Sequence, residues 1–427
     1  MTTSATTPSF SPEQLSAITA IEAFLSPSCP DQFFLLVGPA GTGKTFTIQG
    51  LLTKFKGRLV FTAPTNKATK VLRETLRRDD YRPECCTIYS LLGLRMEANG
   101  EVKQLAVPEN PIDLSHFSAV IVDEGSMVNA QLASYIKMAA DDTKVKFIFL
   151  GDPAQLPPVK EHTSPIWQIP LRAELTKVMR HDNQILALAT HIRQLVDHPA
   201  PKLQVTDANS PDIAEGVWRC NAPKFDTAIS RAISAGLFAK PGGAKVIAWR
   251  NATVERYNKR IRAALFDNAS EWVVGDRVIA LEPGRDVEGK PAFSTDDEGT
   301  VTAVDIVPHW MHDDINCWRL RVTLDDNTLV TMWLVAPDSI TAHKQECERR
   351  ATEARAAPRL WKKFWEYKEL FHSARHGYAI TAHRSQGSTY QTVFVDMGDI
   401  LANQTRREAM RCLYVACSRP KKQLFIV

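Results

Sequence analysis

The chain has 427 residues, enough for roughly three domains of ordinary size. Its 44% hydrophobic and 23% charged residues are typical of a soluble globular protein, and the net charge of +4 is compatible with a nucleic-acid partner without indicating one. No apolar run approaches a membrane span, and the first residues lack the regions of a signal peptide. The eight cysteines show no CxxC spacing, so we predict neither a zinc nor a redox motif and expect a cytoplasmic location.

The stretch from Phe33 to Gly50 predicts a buried strand, a tight loop and a helix that opens at Lys44. The loop fits the phosphate-binding pattern G-x-x-x-x-G-K-[ST]. Its residues are Gly38, Pro39, Ala40, Gly41, Thr42, Gly43, Lys44 and Thr45. Glycines let consecutive backbone N–H groups surround an anion, and the helix N-terminus adds positive charge. The pattern predicts that Lys44 contacts the β- and γ-phosphates of ATP and that Thr45 holds Mg²⁺. The alternative is a glycine-rich turn without a ligand.

Two polar residues, one before and one after this loop in the sequence, are further candidates. Ser11 and Pro12 predict the start of a helix, and the Gln14 amide in its first turn can pair with an adenine edge. A strand at 59–62 is followed by Thr65, where the carboxyl end of a parallel strand places ligand contacts. The Thr65 hydroxyl suits a nucleic-acid phosphate, and ordinary helix capping is the alternative.

A hairpin is predicted farther along the chain. Residues 94–98 and 101–105 flank Asn99-Gly100, a strong turn signal, and the hairpin is expected to project from the sheet edge. The next strand, 119–122, ends in Asp123 and Glu124. In an α/β ATPase the first carboxylate holds Mg²⁺ and the second polarises the attacking water, although such a pair also occurs by chance.

Single polar residues follow later strands. Gln155 comes after a strand at 145–150 and is placed to contact a γ-phosphate, whereas Arg180 alone reads as a surface charge. Short alternating runs at 270–337 predict a small antiparallel barrel. The helical stretch at 341–370 carries aromatic residues at spacings of three and four, which favours a packing face.

Seven motifs occur in one order: GPAGTGKT, TAPTNKATKVL, VIVDEGSM, GDPAQLPPV, LTKVMRH, ITAHRSQGST and LYVACSR. This ordered set resembles the superfamily 1 helicases, and within them the RecD/Pif1-like branch. The resemblance implies an α/β fold with two RecA-like P-loop NTPase motor domains, a β-hairpin insert and a small Src-homology-3-like β-barrel insert. The implied boundaries are 1–90 and 118–185 for the first motor domain, 91–117 for the hairpin, 186–268 and 341–427 for the second motor domain, and 269–340 for the barrel.

The resemblance also implies residue roles. In the nucleotide site Gln14 contacts adenine, Asp123 and Thr45 hold Mg²⁺, Glu124 activates water, Gln155 senses the γ-phosphate, Arg180 and Arg419 are arginine fingers, and Gly387 faces the nucleotide. The implied contacts to single-stranded DNA are Thr65, Thr87, Tyr89, Asn251, Thr381 and His383. Tyr89 stands where relatives often have histidine, which leaves the base contact there open.

The implied activity is that of an ATP-dependent DNA helicase, with ATP and Mg²⁺ as cofactors, translocating 5′→3′ on single-stranded DNA. The hairpin would be a pin that splits the duplex, braced by the barrel. We expect a monomer without a membrane partner that acts on single-stranded and forked DNA, with single-strand-binding or replication proteins as further partners. The alternatives are an ATP-gated remodelling factor for single strands and an RNA or 3′→5′ helicase.

Overall fold

The computed structural model describes residues 10–55, 57–77, 81–108, 112–177, 184–197, 205, 207–210, 213–266 and 272–427. The chain divides into two units, one formed by residues 1–94 and 107–201 and the other by residues 95–106 and 202–427. Unit 2 therefore includes a short segment that the sequence places between two parts of unit 1. None of the helices in the described ranges combines the length and apolarity needed to cross a bilayer.

Unit 1 is built on a six-stranded sheet of order β3-β2-β6-β7-β1-β8. Its strand pairs are parallel. The strands are β1 Phe33–Val37, β2 Leu59–Ala63, β3 Cys85–Thr87, β6 Ala119–Val122, β7 Lys146–Gly151 and β8 Arg172–Glu174. The helices are α1 Pro12–Leu25, α2 Lys44–Lys54, α3 Asn66–Leu76, α4 Ile88–Leu91, α5 Ala130–Thr143 and α6 Gln184–Leu195. Continuous apolar runs such as β6 and β7 suit parallel strands that are buried on both faces.

Unit 2 contains a second six-stranded sheet, of order β19-β11-β20-β21-β10-β9, and a five-stranded antiparallel sheet, of order β17-β16-β15-β12-β18. Two hairpins, β4–β5 and β13–β14, form separate pairs. The strands are β4 Arg95–Asn99, β5 Val102–Ala106, β9 Ala208–Ser210, β10 Ile213–Arg219, β11 Ala244–Ala248, β12 Arg277–Ala280, β13 Gly284–Arg285, β14 Pro291–Phe293, β15 Glu298–His309, β16 His312–Leu324, β17 Leu329–Val335, β18 Ala374–His376, β19 Ala379–Thr381, β20 Tyr390–Val395 and β21 Pro420–Ile426. The helices are α7 Ala222–Ser234, α8 Asn251–Leu265, α9 Ile340–Ala356, α10 Trp361–Lys368, α11 Met397–Leu401 and α12 Arg406–Cys417.

The two six-stranded sheets share one connectivity. Read from one edge, their first five strands are β3-β2-β6-β7-β1 in unit 1 and β19-β11-β20-β21-β10 in unit 2. In each sheet the earliest of these strands in the chain takes the fifth place and the next takes the second. β1 therefore corresponds to β10, β2 to β11, and β3 to β19. Polar residues at the carboxyl ends of corresponding strands occupy equivalent places, where ligands bind in open α/β sheets.

The sequence predicted this α/β class with parallel sheets, and the structure differs in detail. α6 extends past the predicted boundary at 185 but belongs to unit 1, where Arg193 Nε lies 3.1 Å from Asp152 Oδ1. The five-stranded sheet includes β18, beyond the predicted barrel range of 269–340. The hairpin strands β4 and β5 pair with each other and do not extend the edge of the unit 1 sheet. The likeness to a Src-homology-3 barrel stays a prediction.

Candidate functional site

The glycine loop lies between β1 and α2 and has the geometry of an anion cradle. Gly41 and Gly43 take positive φ angles of 85° and 81°, which side-chain-bearing residues rarely adopt. A Cβ atom on Gly38 would lie 2.7 Å from Thr42 Oγ1 and 2.9 Å from the Leu175 carbonyl oxygen, so that position also needs glycine. Lys44 Nζ donates to the carbonyl oxygens of Gly38 and Pro39, at 2.6 and 3.1 Å. The ammonium group is therefore held directly at the loop.

Gln14 supports this loop from α1. Its Oε1 accepts from Ser11 N at 2.9 Å, and Ser11 Oγ accepts from Gln14 N at 3.2 Å, which forms a capping box. Its Nε2 donates to the Thr42 carbonyl oxygen at 3.1 Å. Both ends of the buried amide are thus bonded within the protein, and they tie the start of α1 to the loop. The adenine contact of Gln14 stays a prediction.

The paired carboxylates follow β6. The Asp123 backbone N–H donates to the Thr62 carbonyl oxygen at 2.8 Å, and Asp123 Oδ1 accepts from Glu124 N at 2.8 Å. Glu124 has a φ of 50°, a left-handed conformation that is uncommon without glycine and that clusters at functional sites. Burial raises the pKa of Asp123, while the Glu124 N–H and the charge of Lys44 act in the opposite direction. Thr45 and Asp123 offer the hard oxygen ligands that Mg²⁺ prefers, so the residues present fit the ion.

The end of β7 lies next to the loop, because Gly38 N donates to the Gly151 carbonyl oxygen at 3.0 Å. Gln155 follows this strand and is mostly buried, and its backbone N–H donates to the Asp152 carbonyl oxygen at 3.1 Å. The structure therefore places Gln155 just after β7, the strand whose end lies next to the glycine loop. Its contact with a γ-phosphate stays a prediction.

Glu13 is a residue that the sequence reasoning missed. Its carboxylate accepts from Thr176 N and Lys177 N, each at 2.9 Å, and from the Thr176 hydroxyl at 2.6 Å. The Thr176 hydroxyl and then the Lys177 N–H lower the pKa of Glu13. Its position directly before Gln14 in a capped first turn was the available signal. Arg180, the predicted finger three residues beyond Lys177, lies outside the described residues.

Unit 2 brings two predicted residues from separate motifs together. Arg419 is 6% exposed, and its Nη1 donates to the Ser388 carbonyl oxygen at 3.3 Å. Its Nε donates to the Val415 carbonyl oxygen at 2.9 Å and its Nη2 to Ser418 Oγ at 2.8 Å. Gly387, with a φ of 73°, directly precedes Ser388. The guanidinium is therefore fixed against the segment that contains Gly387, entirely within unit 2.

Four predicted DNA contacts lie at corresponding strand ends of the two sheets. Thr65 follows β2 and Thr87 ends β3 in unit 1, while Asn251 follows β11 and Thr381 ends β19 in unit 2. The Thr65 and Thr87 hydroxyls accept from Ala68 N and Ser90 N, both at 3.1 Å. The capping alternative is therefore realised for Thr65, and Thr87 caps a helix in the same way. A hydroxyl that accepts at a cap keeps its own proton for donation, so capping does not exclude a phosphate contact.

The other candidates differ in exposure. Asn251 is exposed, and its Oδ1 accepts from Arg375 Nη1 at 3.1 Å. Thr381 is 8% exposed, and its hydroxyl accepts from Arg384 N at 3.3 Å. His383 is exposed, with Nε2 3.8 Å from Glu408 Oε1. Tyr89 is partly buried, which raises the pKa of its hydroxyl. Asn251 and His383 are thus the most accessible of these side chains.

A parallel sheet with a glycine loop after one strand and a carboxylate pair after another, together with a second sheet of the same connectivity, defines a P-loop ATPase with two RecA-like folds. Comparison with known families agrees with this class. The AAA domain family matches residues 9–210, and the UvrD-like helicase C-terminal domain family matches residues 376–427.

Individual relatives specify the class further. The chain is 24% identical over 440 residues to the ATP-dependent DNA helicase dda of Enterobacteria phage T4, which covers 91% of this chain and 93% of that protein. It is 29% identical over 150 residues to the RecBCD enzyme subunit RecD of Buchnera aphidicola, across 30% of this chain and 24% of the relative. The crystal structure of Pif1 helicase from Bacteroides with ADP-AlF3 and ssDNA matches with a TM-score of 0.53 and 17% identity, covering 98% of this chain and 92% of that one. Together these matches support a superfamily 1 helicase of the RecD/Pif1-like branch, which is a nucleotide-hydrolysing enzyme.

Proposed function

We propose that this enzyme is an ATP-dependent DNA helicase that moves 5′→3′ along single-stranded DNA and unwinds duplex DNA. One observation carries the proposal. The ends of corresponding β-strands in the two units carry polar residues that are candidate contacts to single-stranded DNA, whereas only one of the two sheets carries the glycine loop. Thr65 and Asn251 form one equivalent pair, and Thr87 and Thr381 form the other. Two similar DNA-binding surfaces and a single nucleotide site suit a motor whose two halves bind single-stranded DNA alternately.

In this proposal the glycine loop and Lys44 bind the phosphates of ATP, and Glu124 takes the proton of the attacking water. Mg²⁺ at Thr45 and Asp123 would supply neutralising charge to the β- and γ-phosphates. The left-handed backbone at Glu124 and the hydrogen bond from its N–H to the Asp123 carboxylate fix the local conformation of the pair. In this proposal Asp123 is the ligand of the cation and Glu124 is the base for water.

Arg419 acts as an arginine finger in this proposal, as does Arg180. The three hydrogen bonds of Arg419 within unit 2 preorganise the guanidinium next to Gly387 and Ser388. At least one of these neutral acceptors would be exchanged for a phosphate oxygen during turnover, because hydrogen bonds between charged groups are stronger than those to neutral carbonyls. Gln14 and Gln155 are proposed to contact the adenine and the γ-phosphate.

The proposed pin is the β4–β5 hairpin. Gly100 at its turn has a φ of 64°, and Met96 and Val102 are 57% and 55% exposed. Trp365 Nε1 donates to the Gly100 carbonyl oxygen at 3.1 Å, and Arg355 Nη2 lies 2.7 Å from Glu101 Oε1. An isolated hairpin is at best marginally stable in water, so these contacts are what hold its tip.

The brace differs from the one expected. The sequence reasoning assigned it to the small barrel, whereas Arg355 belongs to α9 and Trp365 to α10, the helices that lie between β17 and β18 in the chain. The aromatic stretch of α10 also forms a packing face, as predicted, since Trp361, Phe364 and Tyr367 are buried. The same helix therefore packs within unit 2 and supports the hairpin tip.

One experiment tests the function. Forked duplexes of the same sequence, with only a 5′ or only a 3′ single-stranded tail, are incubated with the enzyme, Mg²⁺ and ATP. We expect unwinding of the 5′-tailed fork alone. Unwinding of only the 3′-tailed fork would reverse the polarity, and preference for an RNA tail would change the substrate class. ATP-dependent binding of single strands without any unwinding would favour a remodelling factor. The proposed state is a monomer, and single-strand-binding or replication proteins are proposed partners at the fork.

A further inference from the structure

The turn that joins β14 to β15 and the first residue of β15 contact the segment 381–390 at two places, both within unit 2. The Asp296 carboxylate forms an ion pair with Arg384 Nη1. Two residues later, Glu298 Oε1 accepts from the Tyr390 hydroxyl at 3.2 Å. The five-stranded sheet is thereby attached at two points, Arg384 and Tyr390, to the segment that contains the proposed DNA contacts and Gly387.

The backbone of this turn holds Asp296 in a specific orientation. Asp296 has a φ of 65°, a left-handed conformation that Asp and Asn adopt more readily than most residues. Its N–H donates to the Ala280 carbonyl oxygen at 2.9 Å, which ties the turn to β12. Asp297 Oδ2 accepts from Ser294 N at 2.7 Å and closes the turn. The surrounding hydrogen bonds fix a conformation that would otherwise be disfavoured.

The end of the turn is anchored to the parallel sheet. Lys245 on β11 places Nζ 2.7 Å from Glu298 Oε2, and these side chains are only 4% and 6% exposed. Removing one partner of such a buried pair is strongly destabilising, because it leaves an uncompensated buried charge. By contrast, Arg384 and Asp296 are 28% and 22% exposed. The Glu298 contact is therefore a fixed anchor, and the Asp296 contact is the more adjustable one.

Arg384 lies between two groups that the proposed mechanism uses. Its backbone N–H donates to the Thr381 hydroxyl at 3.3 Å. Four residues on, the Ser388 carbonyl oxygen accepts from Arg419 Nη1 at 3.3 Å. A displacement of Arg384 therefore moves a segment that has the candidate DNA contact Thr381 at one end and Ser388, whose carbonyl oxygen accepts from Arg419, at the other.

We infer that Asp296 is a positioning residue, whose ion pair with Arg384 fixes the segment 381–388 so that a strand bound at Thr381 and His383 sets the placement of Arg419. The inference rests on the proposed helicase function and extends it, because it assigns the small antiparallel sheet a part in the stimulation of ATP hydrolysis by DNA. Asp296 itself contacts neither substrate.

The primary test is Asp296→Asn, since asparagine keeps the left-handed backbone and the size of the side chain while it removes the charge. The matched control is Asp305→Asn, which removes the same charge from an ion pair with Arg319, at 2.9 Å, in the same five-stranded sheet. The rate of ATP hydrolysis is measured with and without saturating oligo-dT, together with the KM for ATP. We expect the DNA-stimulated kcat of Asp296→Asn to fall about 10- to 100-fold, the range for a misplaced reacting group. The basal rate and KM should stay unchanged, as should all three values in the control.

A double-mutant cycle with Arg384→Gln distinguishes positioning through Arg384 from a separate effect. If Asp296 acts through Arg384, the double variant loses no more stimulation than either single variant. Additive losses, or a stimulated kcat in Asp296→Asn within about twofold of the control, would overturn the inference. If Asp296→Asn fails to fold, folded Arg384→Gln carries the test, and full stimulation in it overturns the inference. Wild-type enzyme without any stimulation by oligo-dT would instead count against the proposed function.

Discussion

The two RecA-like sheets differ at one equivalent turn, the one that follows β1 in unit 1 and β10 in unit 2. In unit 1 the turn is the glycine loop of residues 38–43. In unit 2 only residues 220–221 separate β10 from α7, and Asn221 Oδ1 caps that helix by accepting from Lys224 N at 3.1 Å. A side chain thus occupies the helix N-terminus that unit 1 leaves to backbone N–H groups. The order of the strands determines where a ligand site can lie, and the residues of the turn after the strand determine whether an anion site forms there.

A second equivalent turn, after β2 and β11, shows a related difference. In unit 1 the Thr65 hydroxyl caps α3. In unit 2 Asp399 Oδ2 accepts from Trp249 N at 2.7 Å and Arg250 N at 2.9 Å, and Oδ1 accepts from the Thr253 hydroxyl at 2.7 Å. Successive N–H groups of this kind bind anions, and here the anion is the protein's own carboxylate. Unit 2 therefore satisfies internally a turn of the type that binds phosphate elsewhere.

The largest expected effect is on hydrolysis. Lys44→Ala should abolish ATPase activity, because no other cation replaces its contact with the transferred phosphate. The matched control is Lys224→Ala, which removes a lysine near the start of the equivalent helix in unit 2. Steady-state ATPase assays with oligo-dT measure both. Activity in Lys44→Ala, or an equal loss in Lys224→Ala, would contradict the assignment of hydrolysis to the unit 1 turn.

The next effect concerns Arg419. Arg419→Ala should lower the DNA-stimulated kcat by about 10³–10⁵, the contribution of an arginine finger, while ATP affinity changes little. Single-turnover hydrolysis and equilibrium binding of a fluorescent ATP analogue measure the two quantities. Arg231→Ala, on α7 in the same unit, is the control for loss of charge. Weak ATP binding with a normal kcat at saturation would instead make Arg419 a ground-state contact.

The hairpin test separates motor from pin. Replacement of residues 96–103 by a short Gly/Ser turn should leave oligo-dT-stimulated ATPase intact and sharply reduce unwinding of a forked duplex. The physical reason is that each base-pair step costs about 1.4 kcal/mol to open, part of which an apolar side chain such as Met96 offsets by stacking. A fluorescence-quenched fork measures the unwinding rate. If the shortened enzyme unwinds as fast as the parent, strand separation occurs elsewhere, and a parallel fall in ATPase would make the hairpin structural.

The equivalence of the two sheets predicts smaller and similar losses at Thr65 and Asn251. Thr65→Asn retains a capping side chain but removes the hydroxyl, and Asn251→Ala removes the exposed amide. Each change should weaken binding of single-stranded DNA about tenfold, the value of one hydrogen bond to a charged phosphate. Fluorescence anisotropy with a labelled oligonucleotide at fixed salt measures the affinity. If DNA affinity falls in only one of the two variants, Thr65 and Asn251 do not have equivalent roles.

The smallest effect on activity is expected at Asp399, whose role is structural. Burial by itself would raise its pKa, but the Arg250 N–H, the Thr253 hydroxyl and the other donors together lower it. A lowered pKa means that the carboxylate stabilises the fold above the pKa of the unfolded chain and loses this contribution as the pH falls below it. Asp399→Asn should cost roughly 2 kcal/mol of unfolding free energy at neutral pH, the value of hydrogen bonds to a charged group. Denaturant unfolding at pH 7 and pH 3 measures it, and an equal difference at both pH values would contradict the ionic explanation.

The phosphate loop was predictable because its function imposes a local pattern. Gly41 and Gly43 take backbone angles that only glycine adopts freely, and Lys44 must follow at a fixed spacing. The parallel strands were predictable for a similar reason, since burial on both faces requires continuous apolar runs. The capping alternative for Thr65 was also visible in the sequence, and the structure realises it.

Contacts between distant parts of the chain left no such pattern. The carboxylate of Glu13 accepts from Thr176, and that of Asp399 accepts from Trp249. The sequence around an isolated acidic residue does not indicate which distant residue it will contact. The attachment of the hairpin to unit 2 depends on Arg355 and Trp365, far along the chain. Arg419 was predicted from its motif, whereas its three internal acceptors became visible only in the fold.

The hairpin attachment has a consequence for synthesis on the ribosome. Glu101 is separated from Arg355 by 254 positions, and Gly100 from Trp365 by 265. At translation rates of about 5–20 residues per second, the hairpin waits roughly 10–50 s before its supporting helices are made. During that interval the hairpin lacks the contacts that hold its tip, and its strand edges are liable to join other chains. Vectorial folding thus favours polar and charged residues on these strands, and Arg95, Glu97 and Gln104 are of that kind.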